Sequence, residues 1–247
     1  MNEVIKTLTQ HRSYRKYENK SVPNEMLHAI LDSAQAAPSW INGQHVTVIV
    51  VEDHNRKEKL AELCGNQKHI NEAPVFLVFC MDFHRTELSA KLENTTFGAA
   101  DQSDLLLVGA TDAGIALANA ITAAESLGLG TVPIGGIRRN APEVIEFLQL
   151  PKYVVPISGL CIGFPAEDPG VKPRLPKEAY VHKETYHNDQ TDALKEYNEV
   201  FKKYLQERGS EQANWTNRVA NFYKQPYYPS IGPVLQKQGF HAKDLKE

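Results

Sequence analysis

The sequence is poor in cysteine and has no pattern of metal ligands. Its three cysteines, Cys64, Cys80 and Cys161, are widely spaced, and the last two lie inside apolar, strand-like runs. An odd number of separated cysteines argues against a disulfide framework, so we expect reduced residues of the core. None of the nine histidines forms a His-x-x-x-His pair or lies beside a cysteine pair. The sequence therefore predicts no metal site.

Neither sign of charge is in strong excess, because 27 basic and 30 acidic residues leave a formal net charge of -3. No run of lysine and arginine resembles a nucleic-acid-binding surface, and we expect no nucleic-acid partner. Hydrophobic residues make up 42% of the chain and charged residues 23%, as in globular proteins. Residues 1–6 lack the apolar region of a secretory signal, which predicts a cytoplasmic protein.

One apolar stretch, residues 105–127, has the length of a membrane span. Polar residues interrupt it, among them Asp112 and Glu125, so we predict a central buried helix and no membrane partner. Gly128 and Gly130 follow it in the manner of a helix C-terminus. Small residues would let another helix approach closely, including its own copy in a dimer; these are Gly109, Ala113, Gly114 and Ala116.

Runs of β-branched and apolar residues predict four strands of a sheet, over residues 46–51, 75–81, 131–136 and 154–164. Apolar residues at helical spacing predict helices over residues 3–9, between Pro23 and Pro38, and over about 54–64. Strands that alternate with helices indicate an α/β or α+β protein in which helices cover a sheet. Beyond Phe164, two amphipathic stretches (about 190–207 and 214–238) lack a core of their own, and we expect this tail to wrap the main body.

Two groups of cations are candidates for binding an anion. His11, Arg12, Ser13 and Arg15 lie within five residues, and arginine offers paired donors that match phosphate oxygens. Taken alone, such a cluster is more often a solvated surface. Lys172 and Arg174 flank Pro173, which stiffens their spacing, although in isolation a surface linker is the better interpretation.

Two further segments offer contacts to a planar heterocycle. Pro133, Ile134, Gly135 and Gly136 form a strand end and a glycine turn, which would let a flat ligand lie close to backbone amides. An ordinary turn is an equally good interpretation. Gln67 and residues 39–44 supply amide and hydroxyl groups that pair with a polar ring edge. The glycine fingerprints of Rossmann and P-loop nucleotide sites are absent, and so is a serine-nucleophile elbow.

The order of these motifs resembles the oxygen-insensitive NADPH nitroreductase and NADPH-flavin oxidoreductase branch of the nitroreductase superfamily. The resemblance rests on residues 11–15, Gln67, the run 125–130 that leads into 133–136, and residues 172–176. It extends over nearly the whole chain and is weakest after Tyr186. It implies a single domain over residues 1–247, with a core over about 1–180 and a C-terminal extension over about 181–247 that wraps a dimer.

The fold implied by the resemblance is α+β, with a central, mostly antiparallel sheet flanked by helices and a long buried helix that forms the dimer. Two sites for tightly bound FMN would be built from both subunits of the homodimer. The resemblance assigns FMN contacts to His11, Arg12, Ser13, Arg15, Ser39, Gln67, Pro133, Ile134, Gly135, Gly136, Lys172 and Arg174. The loop from Ser39 would come from the partner subunit. No side chain is expected to be catalytic, because FMN carries the chemistry.

The activity implied by the resemblance is hydride transfer from NADPH, or possibly NADH, through FMN to nitroaromatics, quinones or free flavin by a ping-pong mechanism. A non-catalytic FMN-binding or flavin-delivery module is the alternative. Trp40 stands where similar sequences more often carry a small hydroxyl residue, so its indole is a candidate for shaping the acceptor pocket, or else a packing residue.

Arg208 is the candidate contact for the 2′-phosphate of NADPH. In similar sequences an arginine-rich loop before the C-terminal tryptophan has this role, whereas here residues 207–215 retain one arginine beside Glu207 and Glu211. Since a phosphate prefers cations, we expect Arg208→Ala to raise the Michaelis constant for NADPH in steady-state kinetics and to leave that for NADH unchanged. Equal effects on both nucleotides would contradict this role.

Overall fold

The computed structural model describes residues 2–210 and 214–245. The chain divides into a larger unit, Met1–Pro169 with Ser230–Glu247, and a smaller unit, Gly170–Pro229.

Four strands form the sheet of the larger unit: β1 (Val46–Val51), β2 (Val75–Asp82), β3 (Gly130–Ile134) and β4 (Val154–Gly163). Their order is β1-β2-β4-β3 and every neighbouring pair is antiparallel, which confirms the predicted sheet. The two central strands explain the continuous apolar runs in the sequence, since all eight residues of β2 are buried. The edges of the sheet are β1 and β3, and both border candidate site residues.

The chain also forms helices α1 (Glu3–Thr9), α2 (Asn24–Gln35), α3 (His54–Leu63), α4 (Lys68–Glu72), α5 (His84–Leu92), α6 (Asp104–Ser126), α7 (Ala141–Phe147), α8 (Thr191–Glu207), α9 (Trp215–Phe222) and α10 (Ile231–Lys237). The predicted helices are confirmed to within about two residues. The predicted stretch 214–238 is wrong as one element. It is two helices, because Pro226 and Pro229 lie in the segment between α9 and α10 and lack the backbone N–H that a continuing helix needs.

Helices cover both faces of the sheet, and successive residues of β2 alternate between two buried clusters. Phe76 and Val78 face the layer of α3 and α7, whereas Leu77 and Phe79 face α2 and α6. The predicted reduced cysteines are confirmed, because Cys64, Cys80 and Cys161 are buried free thiols. Burial raises the pKa of Cys64 and of Cys80 to about 12, so these thiols are protonated and unreactive.

Helix α6 packs one face on the sheet through small residues. Gly109, Ala113, Ala116, Ala120 and Ala124 are buried. Among the described residues it is the one helix long and apolar enough to cross a membrane. Its opposite face is exposed in the described part of the chain and contains Leu107, Thr111, Gly114 and Ala118. The predicted burial of this helix therefore applies to a single face of it.

The smaller unit has a core, contrary to the prediction that this part of the chain lacks one. Tyr197, Phe201 and Leu205 are buried on one face of α8, and Leu175, Tyr204 and Trp215 pack against them. Residues four apart lie on the same side of a helix, and each aromatic ring buries a large area, so two helices suffice for a small cluster. The wrapping of the larger unit by this segment stays a prediction.

Close packing of α6 on β2 makes a test of the fold. A Cβ atom at Gly109 would lie 2.8 Å from Cβ of Met81 and 2.9 Å from Cε2 of Phe83. We therefore expect Gly109→Ala to lower the free energy of unfolding in urea by about 1–3 kcal/mol. The control is Gly232→Ala in α10, where an added Cβ meets no atom within 4 Å among the described residues. Equal effects of the two substitutions would contradict the packing described here.

Candidate functional site

The segment of residues 11–15 lies along the outer edge of β3. Ser13 forms a parallel bridge with Thr131, and the backbone N–H of Tyr14 donates to the Thr131 carbonyl at 2.9 Å. The ring of Tyr14 covers Gly130, where a Cβ would lie 2.7 Å from its Cγ. Glycine is therefore required at Gly130, and the basic segment has a defined register against the strand that leads into residues 133–136.

A partly buried carboxylate joins this segment to α6 and β3. Oε1 of Glu125 lies 2.7 Å from Nδ1 of His11 and accepts a hydrogen bond from Oγ1 of Thr131 at 2.8 Å. Glu125 occupies the last turn of α6, where the helix dipole disfavours an anion. Its two hydrogen bonds offset that cost. The sequence indicated Glu125 only as part of a motif and as a charge in an apolar stretch, because its partner His11 is distant along the chain.

Arg12 and Arg15 lie on the same edge. Nη1 of Arg12 donates to the Asp168 carboxylate at 3.0 Å, whereas its Nε is buried without a hydrogen-bond partner among the described residues. An unpaired guanidinium nitrogen is a donor that an oxyanion would satisfy. Nη1 of Arg15 donates to the Ser13 carbonyl at 3.3 Å. Both arginines therefore present donors beside β3.

Gln67 and the glycine turn lie against each other. Gln67 precedes α4, and its Nε2 donates to the Cys64 carbonyl at 2.9 Å. A Cβ at Gly136 would collide with that Nε2 and lie 2.6 Å from the same carbonyl, so only glycine fits. Pro133 and Gly135 are exposed, whereas Ile134 and Gly136 are buried. The turn therefore presents an open backbone surface next to the Gln67 amide.

His69 belongs to the same place, although the sequence did not indicate it. Burial, and then the nearby charge of Arg15, lower the pKa of its imidazole. Its Nε2 is buried without a partner within the described part of the chain. The one signal in the sequence was its position two residues after Gln67. We call residues 11–15, Gln67, His69, Glu125 and 131–136 the β3-edge cluster.

The β3-edge cluster has the chemistry that FMN requires. Two guanidinium groups suit a phosphate, and an orphaned Arg12 Nε is available to it. The glycine turn and the Gln67 amide suit the flat face and polar edge of a flavin ring. Within residues 2–210 and 214–245, no group of three His, Cys, Asp or Glu side chains is arranged to hold a metal ion.

Ser39 and Trp40 lie elsewhere in the chain. Residues 39–44, which we call the Trp40 loop, lead into β1 at the opposite edge of the sheet from β3. The backbone N–H of Trp40 donates to Asp112, thirteen residues before Glu125 on α6, a separation of about 20 Å along the helix axis. One chain therefore does not bring Ser39 or Trp40 to the β3-edge cluster.

A cleft of 540 Å³ lies beside the Trp40 loop. Apolar residues form most of its lining, several of them from α2 and β1, and Ser39, Arg85 and Asp112 are among the residues that add polar groups. The outer edge of β1 has no strand partner in the described part of the chain. An open apolar cleft and an unpaired edge strand are features that an interface with another chain would cover.

The remaining predicted cations belong to the smaller unit. Nη1 of Arg174 donates to the Lys172 carbonyl at 2.8 Å, and the Tyr197 hydroxyl on α8 donates to the Pro173 carbonyl at 2.7 Å. These bonds give the Lys-Pro-Arg turn a defined shape. Arg208 follows α8, and its guanidinium lies 5.5 Å from the ring centre of Tyr204. Glu211, its expected acidic neighbour, lies outside the described residues.

Comparison with known proteins gives one family over both units. Residues 8–164 match the nitroreductase family, and residues 172–243 match the C-terminal domain of that family. The chain is 51% identical to FMN reductase [NAD(P)H] of Bacillus subtilis over 98% of this chain and 100% of that protein. It is 38% identical to the oxygen-insensitive NADPH nitroreductase of Salmonella typhimurium over 98% of this chain and 100% of the relative.

Among solved structures, that of B. megaterium NfrA2 matches with a TM-score of 0.96 and 50% identity, over 97% of this chain and 98% of that one. The predicted α+β class and the resemblance inferred from motif order are both confirmed. Both relatives and the solved structure match this chain over at least 97% of its length. The chain belongs to the nitroreductase family.

Proposed function

We propose that this protein is an FMN-dependent oxidoreductase that passes hydride from NADPH or NADH, through tightly bound FMN, to small electron acceptors. The observation that carries the proposal is the β3-edge cluster, where Arg12, Arg15 and the Gln67–Gly136 contact share one edge of the sheet. The names of the relatives, an FMN reductase and a nitroreductase, favour free flavin and nitroaromatics as acceptors, with quinones as further candidates.

Residues of the β3-edge cluster have separate roles in this proposal. Arg12, Arg15 and Ser13 bind the phosphate and ribityl chain of FMN, and Glu125 holds His11 beside them. Gln67 pairs with the edge of the ring, and residues 133–136 place backbone amides along it. Bound FMN supplies the hydride transfer in both half-reactions, so no side chain has to act as nucleophile or base. Because nicotinamide and acceptor use the same open surface, the kinetics are ping-pong.

The protein forms a homodimer through the uncovered face of α6 in this proposal. Leu107, Thr111, Gly114 and Ala118 lie on that face, and the small residues among them allow two helices to pack closely. When two copies of a helix cross antiparallel about a two-fold axis, positions at equal distances on either side of the crossing point are paired. If two copies of α6 cross near Ala118, Asp112 of one subunit comes level with Glu125 of the partner subunit.

This arrangement would complete each FMN site. The Trp40 loop is attached at Asp112 and the β3-edge cluster at Glu125, so the crossing places the loop of one subunit next to the cluster of the other. Ser39 then contacts FMN across the interface, and Trp40 lines the acceptor pocket. Lys172 and Arg174 add cations to the same FMN from the C-terminal extension, which wraps the dimer. We place the enzyme in the cytoplasm.

Anaerobic titration of the purified, FMN-loaded protein tests the function. We expect one equivalent of NADPH or NADH to abolish the absorbance band of each oxidised flavin, and nitrobenzene or a quinone to restore it. A yellow protein whose flavin is not bleached by either nucleotide would instead be a flavin-delivery module. A colourless protein that cannot be reconstituted with FMN would contradict both functions.

A further inference from the structure

The Trp40 loop has a backbone conformation that few residues adopt. Ile41, Asn42 and Gln44 have φ values of 50°, 57° and 52°, in the left-handed region. This region disfavours residues with side chains, and a β-branched isoleucine there is an outlier. Such a conformation persists only where the surrounding structure imposes it. Three of these residues within four positions therefore require strong contacts at the ends of the loop.

A buried carboxylate on α6 supplies the first set of contacts. The backbone N–H of Trp40 donates to Oδ1 of Asp112 at 3.2 Å, and Nδ1 of His45 lies 2.9 Å from Oδ2 of the same side chain. Asp112 and His45 are 4% and 5% exposed. The His45 ring also stacks on Phe83, with ring centres 4.5 Å apart. Asp112 therefore binds Trp40, near the start of the loop, and His45, the residue that follows the loop.

An arginine on α5 supplies the second set. Nη2 of Arg85 donates to the carbonyl of Gln44 at 2.6 Å and to that of Val46 at 2.7 Å. Its Nη1 donates to Asp82 at 2.9 Å, which orients the guanidinium. Inside the loop, the N–H of Gln44 donates to the Ser39 hydroxyl at 3.0 Å. Both ends of the loop are therefore attached to elements that the core holds in place.

The loop held in this way presents large apolar side chains to solvent. Trp40 is 63% exposed and Ile41 is 81% exposed, so neither stabilises its own subunit by burial. The loop has a strained backbone, is held by Asp112 and by Arg85, and exposes an indole. These features together are expected where a protein positions a side chain for a ligand. The flat face of an indole favours planar, electron-poor aromatic rings.

We propose that Asp112, His45 and Arg85 are positioning residues, which hold the Trp40 loop so that its indole stacks on planar aromatic acceptors at the FMN of the partner subunit. The inference rests on the proposed function and deepens it, because it assigns acceptor preference to contacts made in the other subunit. Loss of either attachment lets the loop relax to an ordinary backbone conformation and moves the indole away from the acceptor.

Two properties of the oxidised, FMN-loaded protein test this inference: amide hydrogen exchange over residues 40–44, and the dissociation constant of nitrobenzene, followed by flavin absorbance without nicotinamide. We expect Asp112→Ala and Arg85→Ala to speed amide exchange over residues 40–44. We expect both substitutions, and also Trp40→Ala, to raise the dissociation constant of nitrobenzene about fivefold. The affinity for FMN should fall by a smaller factor than the affinity for nitrobenzene, because Ser39 is one of many proposed FMN contacts whereas Trp40 is the proposed contact of the acceptor. Arg56→Ala is the matched control, since this arginine lies on α3, over the ring of Phe147, away from the loop.

Steady-state kinetics supply a second comparison. The Michaelis constant for nitrobenzene should rise in the positioning variants, whereas that for ferricyanide, which has no flat aromatic face, should not. If Asp112→Ala does not fold, Arg85→Ala decides, because that side chain is 48% exposed and its partner Asp82 keeps hydrogen bonds from the Thr47 hydroxyl and the His84 backbone N–H.

Three results would overturn the inference. Exchange that is unchanged in the variants means that the contacts do not hold the loop. Faster exchange with an unchanged nitrobenzene constant means that the indole does not meet the acceptor. A loss of FMN affinity that exceeds the loss of nitrobenzene affinity means that the loop acts mainly on the cofactor. Failure of the proposed function is a separate result, since the wild-type flavin would then not be bleached by NADPH or NADH, while exchange at Trp40 still reports on the attachments.

Discussion

Two carboxylates on one helix, the buried Asp112 and the partly buried Glu125, organise the candidate site. Asp112 and Glu125 lie about 20 Å apart along α6 and each binds a different segment, the Trp40 loop in one case and His11 with Thr131 in the other. A carboxylate removed from water is costly unless hydrogen bonds compensate for it. Since each of these acids is satisfied by the segment it holds, the fold of the helix and the placement of the site residues depend on each other.

Small residues make this arrangement possible. Because Gly109, Ala113 and Ala116 have little or no side chain, α6 packs closely on the sheet. The carboxylates of α6 can then reach segments at both edges of the sheet. Similar small residues remain uncovered on the opposite face. The same helix therefore supports the core of one subunit and, in the proposed dimer, brings the Trp40 loop of one subunit to the β3-edge cluster of the other.

Sequence patterns predicted the parts of this structure that depend on local periodicity. Continuous apolar runs predicted β2 and β4, and the long apolar stretch predicted α6 to within about a residue. The short helix α4 was missed because five residues show little periodicity. The core of the smaller unit was missed because its apolar residues come from three separate segments, α8 and the segments that contain Leu175 and Trp215.

The candidate site was predicted in part for the same reason. Motif order indicated residues 11–15, Gln67 and 133–136, which the structure brings to one edge. The contacts of Glu125, His69 and Asp112 join residues tens of positions apart, and no local pattern reports such pairs. The roles assigned to Lys172, Arg174, Ser39 and Trp40 depend on the smaller unit or on a second subunit, and they stay predictions.

Subunit complementation tests the central claim, that each FMN site takes the β3-edge cluster from one subunit and the Trp40 loop from the other. Arg12→Glu opposes the phosphate and Ser39→Trp blocks the loop, so neither variant alone should bind FMN. A heterodimer isolated with two different affinity tags has one site with both defects and one with neither. We predict one FMN per heterodimer, bleached by NADPH or NADH. A heterodimer that binds no FMN would contradict the account.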